Sequence, residues 1–259
     1  MNRKYIFFDI DGTLTNHNPG GIILPSTRRT LRQLEENGHF IAIATGRSYS
    51  LAKEKLEDSG MKNMVCAGGN GLVIDNELRY VKPLEREKAL ALIEECKEKK
   101  IRFTINKDDS AHFYTHYKDF LEYSPHLTKL GEFHYLEDDD YTKFAEIHKV
   151  FLSIYPGDEV PSTLKELDLH YARYHSDHIV VEPDDKYQGI KDMIKEIGGN
   201  LEDVVVFGDG HNDLSMMRQA AISIAMGNAI DELKEIADFI TLDCSEDGIE
   251  YACKHFGWI

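Results

Sequence analysis

The sequence predicts an α/β fold, a doubly wound parallel (Rossmann-like) sheet with a separate α+β domain inserted into it. Short apolar runs without alternation, typical of strands buried on both faces, alternate with helical stretches in the order βαβαβ. The pattern changes at Pro83, where mixed helical and strand patterns begin, and the first pattern resumes after Pro183. The chain is therefore predicted to form a core domain of residues 1–82 and 184–259 and an inserted domain of residues 83–183.

The first predicted strand ends in two carboxylates. The apolar run at residues 5–8 leads directly into Asp9 and Asp11, and Gly12 and Thr13 follow. An Asp-Gly pair is by itself a common turn signal. In open α/β sheets, however, ligands bind off the carboxyl ends of the strands, so this motif indicates a reactive site.

A second polar motif follows the second predicted strand. A helix is predicted from Pro25 to about Asn37, and the apolar run at residues 40–44 then ends in Thr45, Gly46 and Arg47. The hydroxyl and the backbone amides can donate hydrogen bonds, the glycine lets an anion approach, and the guanidinium adds positive charge. This strand end is therefore a candidate anion-binding site.

The third predicted strand leads into a glycine-rich stretch. A helix at residues 48–59 and a strand at residues 64–66 precede Ala67-Gly68-Gly69-Asn70-Gly71. The stretch resembles a nucleotide-binding loop, but it lacks the lysine of a P-loop and the GxGxxG spacing. We interpret it as a tight turn into a hairpin with strands at residues 72–74 and 78–81.

The inserted domain is predicted to mix short helices and strands. An acidic run at residues 137–140 could hold a cation, but we favour capping of a following helix, where acids interact well with the helix dipole. A zinc site at His170, His175 and His178 is disfavoured, because these residues fall in a predicted strand region without zinc-ligand spacing. The predicted elements are helices at 85–100 and 163–167 and strands at 101–106, 149–154, 169–174 and 178–182.

The last segment repeats the arrangement of an apolar strand followed by acids. Lys186 precedes a predicted helix at residues 187–197. The most apolar strand, residues 204–207, then ends in the sequence GDGHND, which contains Asp209 and Asp213. The α/β pattern continues with a helix at 213–220, a strand at 222–225, a helix at 230–237 and a strand at 239–241.

The acids at these strand ends require a counter-charge if they meet. Two like charges about 4 Å apart cost roughly 4 kcal/mol at an effective dielectric constant of about 20. Oxygen ligands select a hard cation, and Mg²⁺ is the usual choice for phosphate chemistry. The alternative is that the acids form turns and never converge. The four candidate ligands are Asp9, Asp11, Asp209 and Asp213.

Charge and composition exclude several classes of partner. The chain has 259 residues and a formal net charge of −16, which disfavours nucleic acid and acidic membrane surfaces. We see no long apolar run, no signal peptide and no Cys-x-x-Cys pair among the four cysteines, so we expect a reduced cytoplasmic protein. The apolar tail around Trp258 fits a core and an interface equally well, so the sequence predicts no oligomeric state.

These motifs resemble the haloacid dehalogenase (HAD) superfamily of phosphotransferases. The hairpin at Asn70-Gly71 and the large block between the second and third motifs are similar to the Cof-type subfamily (class IIB, C2-type cap), in which an α/β cap is inserted at that point. All four motifs of the superfamily occur in order, as Asp9-Ile10-Asp11-Gly12-Thr13, Thr45-Gly46-Arg47, Lys186 and Gly208-Asp209-Gly210-His211-Asn212-Asp213.

The resemblance implies a role for each acid. Asp9 is expected to be the nucleophile and a Mg²⁺ ligand. Asp11 is expected to be the general acid and base and to bind Mg²⁺ through its main-chain carbonyl. Asp209 would bind the metal directly, and Asp213 would support it mostly through water.

The resemblance also implies the residues that contact the phosphate and the substrate. Thr45 would hydrogen-bond the transferring phosphoryl group, and Lys186 would neutralise that group and orient Asp9. Asn212 would contact phosphate or substrate, and Gly46 and Arg47 would contribute to substrate binding.

The leading hypothesis is a Mg²⁺-dependent phosphatase acting on small phosphorylated metabolites, with sugar phosphates first, through an aspartyl-phosphate intermediate. Phosphosugar mutases share the first motif and are the enzymatic alternative. A sensor that binds phosphometabolites, or is itself phosphorylated on Asp9, is the alternative without turnover. Asp11 argues against the sensor, because receiver domains lack an acid at that position.

Overall fold

The structure, a computed structural model, describes residues 2–17 and 21–259. It consists of two compact units. The first unit comprises residues 1–81 and 184–259, and the second comprises residues 82–183.

Both units contain strands and helices. The strands of the described residues are, in chain order, β1 (Tyr5–Phe8), β2 (Phe40–Ala44), β3 (Met64–Cys66), β4 (Gly71–Ile74), β5 (Glu77–Val81), β6 (Phe103–Asn106), β7 (His112–Thr115), β8 (Glu132–Tyr135), β9 (Lys149–Leu152), β10 (Tyr171–His175), β11 (His178–Val181), β12 (Val204–Gly208), β13 (Ile222–Ala225) and β14 (Phe239–Ile240). The α-helices are α1 (Pro25–Glu36), α2 (Tyr49–Ser59), α3 (Arg86–Glu98), α4 (Phe120–Tyr123), α5 (Ser162–Glu166), α6 (Lys186–Glu196), α7 (Leu214–Gln219), α8 (Asp231–Ile236) and α9 (Gly248–His255).

The first unit is built on an eight-stranded sheet with the order β14-β13-β12-β1-β2-β3-β4-β5. The six strands from β14 to β3 are parallel, and β4 and β5 form the predicted antiparallel hairpin at one edge. From β1 the chain first builds the sheet in one direction through β2 and β3. It later returns to add β12 on the other side of β1. The predicted doubly wound α/β fold is therefore confirmed, and its topological switch point lies between β1 and β12.

Helices cover both faces of this sheet, which explains the uninterrupted apolar runs. Ile6 and Phe8 on one face of β1 pack in a core with residues of α1, α2 and α9. Phe7 on the opposite face packs with residues of α6, α7 and α8. Because both faces are buried, β1 has no polar alternation, as is typical of parallel sheets.

The second unit is an α+β arrangement with a six-stranded sheet of order β10-β11-β9-β6-β7-β8. All pairs are antiparallel except β7 and β8, which run parallel. Helices α3 and α5 cover one face around Phe103 and Ile105. A smaller core around Phe113 and Phe120 covers part of the other face.

Residues 107–148 contain elements that the sequence analysis did not predict, namely β7, α4 and β8. These elements are four residues long and mix aromatic with polar side chains, so no apolar run marks them. Such strands depend on pairing within the sheet more than on local propensity. Helix α9 was also missed; it buries Ile249 and Ala252 against the first sheet.

The acidic run at residues 137–140 leads into a single helical turn, Tyr141–Lys143. The Asp140 side chain accepts a hydrogen bond of 3.0 Å from the Thr142 amide. The capping interpretation is thus confirmed for Asp140. No helix in the described part of the chain combines the length and the apolar character needed to cross a membrane.

Candidate active site

The two acid motifs meet at the switch point of the first sheet. Strands β1 and β12 are neighbours, with Phe8 opposite Phe207 in the register. Asp9 follows the end of β1, and its amide bonds to the Phe207 carbonyl at 3.1 Å. Asp209 follows the end of β12. The carboxyl ends of two adjacent central strands therefore carry the first and fourth motifs to one place.

Lys186 joins two of these acids. Its Nζ lies 2.6 Å from Asp9 Oδ1 and 2.6 Å from Asp213 Oδ1. Lys186 and Asp213 are fully buried, and Asp9 and Asp209 are nearly so. Carboxylate oxygens of Asp9, Asp209 and Asp213 all lie within 4.8 Å of one another. Three of the four acids predicted to converge, Asp9, Asp209 and Asp213, do so, with Lys186 among them, whereas the carboxylate of Asp11 is not part of this cluster.

Backbone and hydroxyl donors fix the orientation of the acids. Asp213 Oδ2 accepts hydrogen bonds from the amides of Asp209 at 2.9 Å and Gly210 at 3.0 Å. The Thr13 hydroxyl donates to Asp209 Oδ1 at 3.0 Å. Gly12 has φ +77°, and a Cβ there would lie 2.3 Å from Asp209 Oδ2. A glycine is therefore required for the first motif to approach the fourth so closely.

The glycine-rich stretch positions Lys186. The Asp185 amide, just before α6, donates to the Gly68 carbonyl at 2.8 Å. A Cβ on Gly69, whose φ is +106°, would lie 2.1 Å from the Asp185 carbonyl oxygen. Gly189 packs equally closely from the helix side, because its Cβ would meet Val65 Cγ1 at 2.4 Å. The sequence analysis predicted a turn at this stretch but did not predict its contact with the start of α6. The adjacent glycines Gly68 and Gly69 were the sequence feature that could have indicated so close an approach.

Arg47 holds the second acid of the first motif. Its Nε and Nη2 donate to the two carboxylate oxygens of Asp11 at 2.8 and 2.6 Å. This bidentate ion pair is partly exposed. The Arg47 amide also donates to Thr45 Oγ1 at 3.1 Å, and Thr45 keeps its own O–H to donate. The sequence analysis placed Arg47 near substrate and did not foresee its pairing with Asp11.

The electrostatics of the cluster favour a cation. Burial raises the pKa of Asp9 to about 8; Lys186 opposes this rise, and Asp213 and Asp209 add to it. The paired acids Asp213 and Asp9 raise the pKa of Lys186 against the effect of burial. With all three buried carboxylates ionised, the single ammonium would leave two negative charges in excess.

The residues present therefore fit a divalent cation. All the side-chain donors offered by the cluster are carboxylate oxygens, which suit a hard ion, and the excess charge matches that of a divalent ion. Asp11, the fourth predicted ligand, has its carboxylate committed to Arg47. Any contribution of Asp11 to a metal would thus come from its main chain.

Other predicted residues are less closely connected. Gly46 lies in the loop between Thr45 and Arg47. Asn212 lies in the helical turn His211–Asp213, and among the described residues it makes no hydrogen bond to another predicted site residue.

His170, His175 and His178 do not form a group of possible metal ligands among the described residues. His178 is buried with its Nδ1 2.8 Å from Asp177 Oδ1. His175 instead stacks on His126.

Comparisons with known proteins agree with this geometry. The family model of the haloacid dehalogenase-like hydrolases matches residues 6–252. The Bacillus subtilis (strain 168) protein named "Putative phosphatase YkrA" is 35% identical over 264 residues, which cover 99% of both chains. The Bacillus subtilis (strain 168) 5-amino-6-(5-phospho-D-ribitylamino)uracil phosphatase YcsE is 25% identical and covers 99% of this chain and 96% of its own.

Solved structures give the same result. A hypothetical protein from Geobacillus kaustophilus HTA426 is similar over 100% of both chains, with a TM-score of 0.83 and 30% identity. The HAD subclass IIB sugar phosphatase BT4131 has a TM-score of 0.77 and 28% identity, covering 99% of this chain and 100% of its own. With the four motifs assembled on this fold, the chain belongs to the haloacid dehalogenase-like hydrolases of the Cof type and is a phosphoric monoester hydrolase.

Proposed function

We propose that the enzyme is a Mg²⁺-dependent phosphatase of small phosphorylated metabolites, with sugar phosphates as the leading candidate substrates. We also propose that Asp9 forms an aspartyl-phosphate intermediate. The observation that carries the proposal is the buried contact of Lys186 with Asp9 and Asp213 beside Asp209. Such a group of buried charges adds no obvious stability to a fold, and perturbed carboxylates of this kind are typical of functional sites.

Asp9 is the proposed nucleophile. Its contact with Lys186 uses Oδ1, so Oδ2 can face the phosphorus atom. Attack forms an Asp9–phosphate bond as the bond from phosphorus to the substrate oxygen breaks. Lys186 lowers the pKa of Asp9 against the effect of burial and holds the carboxylate in place for this step.

Asp11 is the proposed general acid and base. It protonates the departing substrate oxygen and then removes a proton from the water that attacks the aspartyl-phosphate, which releases inorganic phosphate and restores Asp9. The bidentate contact with Arg47 fixes the direction of the Asp11 carboxylate. Arg47 Nη1 takes no part in that ion pair, and we assign it to the substrate phosphate.

The proposed phosphate and metal contacts complete the site. Thr45, Gly46 and Asn212 contact the transferring group or the substrate. Asp9, Asp209 and the main-chain carbonyl of Asp11 would hold Mg²⁺, and Asp213 would support the metal site. When bound, Mg²⁺ would offset the excess negative charge and stabilise the charge that develops on the transferring phosphoryl group.

The second unit is the proposed cap, which selects the substrate. Two findings support a small phosphorylated compound. The similar chain BT4131 is described as a sugar phosphatase of subclass IIB, and YcsE is named for a phosphorylated ribityl compound. Sugar phosphates are accordingly the first compounds to test.

The test is phosphate release from a panel of sugar phosphates and p-nitrophenyl phosphate, with Mg²⁺ and with EDTA. We expect Mg²⁺-dependent release that Asp9→Asn abolishes, because an amide cannot act as the nucleophile. Asp203→Asn is a matched control, since Asp203 forms a partly exposed ion pair with Lys4. Phosphoryl migration without released phosphate would instead identify a mutase, and a stable phosphorylated Asp9 without turnover would identify a sensor.

A further inference from the structure

We propose that His112, Glu132 and His134 in the second unit form a binding site for Zn²⁺, with water as the fourth ligand. The site is independent of the phosphatase chemistry proposed above. It uses imidazole nitrogens, whereas the side-chain donors of the cluster around Asp9 are carboxylates.

The parallel pairing of β7 and β8 brings the three side chains together. The register places His112 opposite Glu132 and Tyr114 opposite His134. Residues two apart in a strand point to the same face of a sheet. His112, Glu132 and His134 therefore share one face, although 22 residues separate the two histidines in the chain.

The distances between the donor atoms suit one ion. His112 Nδ1 lies 2.9 Å from His134 Nε2. Glu132 Oε2 lies 3.8 Å from His112 Nδ1, and Glu132 Oε1 lies 4.0 Å from His134 Nε2. Ligand atoms about 2.0–2.2 Å from a tetrahedral zinc are roughly 3.3–3.5 Å apart. Small rotations of these partly exposed side chains would bring the three atoms to that spacing.

The surrounding structure holds the ligands in position. The backbone before β8 approaches β7 so closely that a Cβ on Gly131 would lie 1.9 Å from the Ala111 carbonyl oxygen. The Tyr114 ring stacks on the His134 imidazole with centroids 4.8 Å apart. The buried Asn106 side chain donates to the His112 carbonyl at 2.7 Å.

The donor set selects the ion. Two imidazoles and one carboxylate suit Zn²⁺ and its neighbours in the transition series, whereas Mg²⁺ prefers oxygen ligands and keeps its water. The side chains of His112 and His134 are 45% and 36% exposed, so the site is open to solvent and can exchange its ion. A bound ion would link β8, the edge strand of the second sheet, to β7.

Calorimetric titration of the full chain with Zn²⁺, after chelator treatment and in excess Mg²⁺, tests the proposal. Excess Mg²⁺ competes at the carboxylate cluster. We expect a Zn²⁺ equivalent whose affinity falls at least tenfold in each of His112→Gln, His134→Gln and Glu132→Gln. Titration with Co²⁺ should give a visible absorption spectrum of tetrahedral intensity in the wild type that both histidine variants lose.

His126→Gln is the matched control, because His126 is a half-exposed histidine of the same unit that stacks on His175. It should bind Zn²⁺ as the wild type does. Equal thermal melting of all variants without metal would show that they fold. Zn²⁺ binding of unchanged affinity and stoichiometry in His112→Gln and His134→Gln, or the absence of Zn²⁺ binding in excess Mg²⁺ in the wild type, would overturn the proposal.

Discussion

Two carboxylates, one in each unit, perform the same local task in different surroundings. Asp213 in the first unit accepts hydrogen bonds from the amides of Asp209 and Gly210. Glu95 in the second unit accepts hydrogen bonds of 2.7 and 2.8 Å from the amides of Ser162 and Thr163 at the start of α5. Both thereby satisfy backbone donors at a chain turn.

The surroundings shift carboxylate pKa values in opposite directions in the two regions. Hydrogen bonds to Thr163, Lys99 and Ser162 outweigh partial burial and lower the pKa of Glu95 to about 2, so folding favours its charge. Beside Asp213, burial raises the pKa of Asp9 to about 8, so the metal-free fold disfavours that charge. Glu95, whose charge stabilises the fold, and Asp9, a proposed metal ligand, thus differ in the direction of the pKa shift.

The largest effect on stability and turnover is expected when a substitution removes the positive charge of Lys186 from the buried cluster. Lys186→Met leaves Asp9 and Asp213 without their cation, so we expect the free energy of unfolding to fall by about 3 kcal/mol. Turnover should fall on the order of 1,000-fold, because Lys186 is also proposed to stabilise the transferring group. Urea denaturation and phosphate release measure the two effects.

Lys4→Met is the control for this change. Lys4 also pairs with an aspartate, Asp203, but that pair is partly exposed. Its loss should change stability by less than about 1 kcal/mol and leave turnover intact. Equal losses in the two variants would show that burial does not distinguish the cluster from an ordinary ion pair.

A smaller effect is expected where the ion pair is partly exposed. Arg47→Lys keeps the charge but loses the planar bidentate contact with Asp11. Turnover should fall about 10- to 100-fold, within the range that general acid–base catalysis contributes. The loss should appear in kcat more than in KM, because Asp11 is the proposed general acid for the leaving oxygen.

Arg28→Lys is the matched control, since Arg28 pairs with Asp58 at the surface of the same unit. We expect its kcat to equal that of the wild type. A loss confined to KM in Arg47→Lys would contradict the positioning of Asp11 and assign Arg47 to substrate binding alone.

The smallest effect is expected at Glu95, where the charge stabilises the fold. Its pKa falls from 4.5 to about 2 on folding, so its contribution is complete above about pH 4.5 and is lost as the pH falls towards 2. Glu95→Gln should lower the free energy of unfolding by about 2 kcal/mol at pH 7, and the difference from the wild type should shrink below pH 4.5. Urea denaturation at pH 7 and pH 3 measures both values.

Glu94→Gln is the control, because Glu94 is the adjacent residue of α3 and pairs with Lys97 on the exposed side. Its effect should stay below about 0.5 kcal/mol. A difference between the wild type and Glu95→Gln that persists unchanged at pH 3 would show that the Glu95 side chain stabilises the start of α5 without its negative charge.

The predictability of the fold differs between the units for a physical reason. Strands such as β1 and β12 are buried on both faces, so their apolar runs mark them directly, and the doubly wound order follows from alternation with helices. Strand β8 is the edge strand of the second sheet and β7 is its neighbour, and both mix polar with aromatic residues. Their stability comes from partners distant in the chain, which no local pattern reveals.

The sequence alone determined the family, the α/β core and the identity of the convergent charges, because the acids follow directly on apolar strands and a parallel sheet aligns its carboxyl ends. Only the tertiary structure decided which charges pair. It placed Lys186 between Asp9 and Asp213, gave Asp11 to Arg47, and brought His112 beside His134. These contacts depend on close backbone approaches and on strand register between segments far apart in the chain, and such relations leave no mark in local sequence.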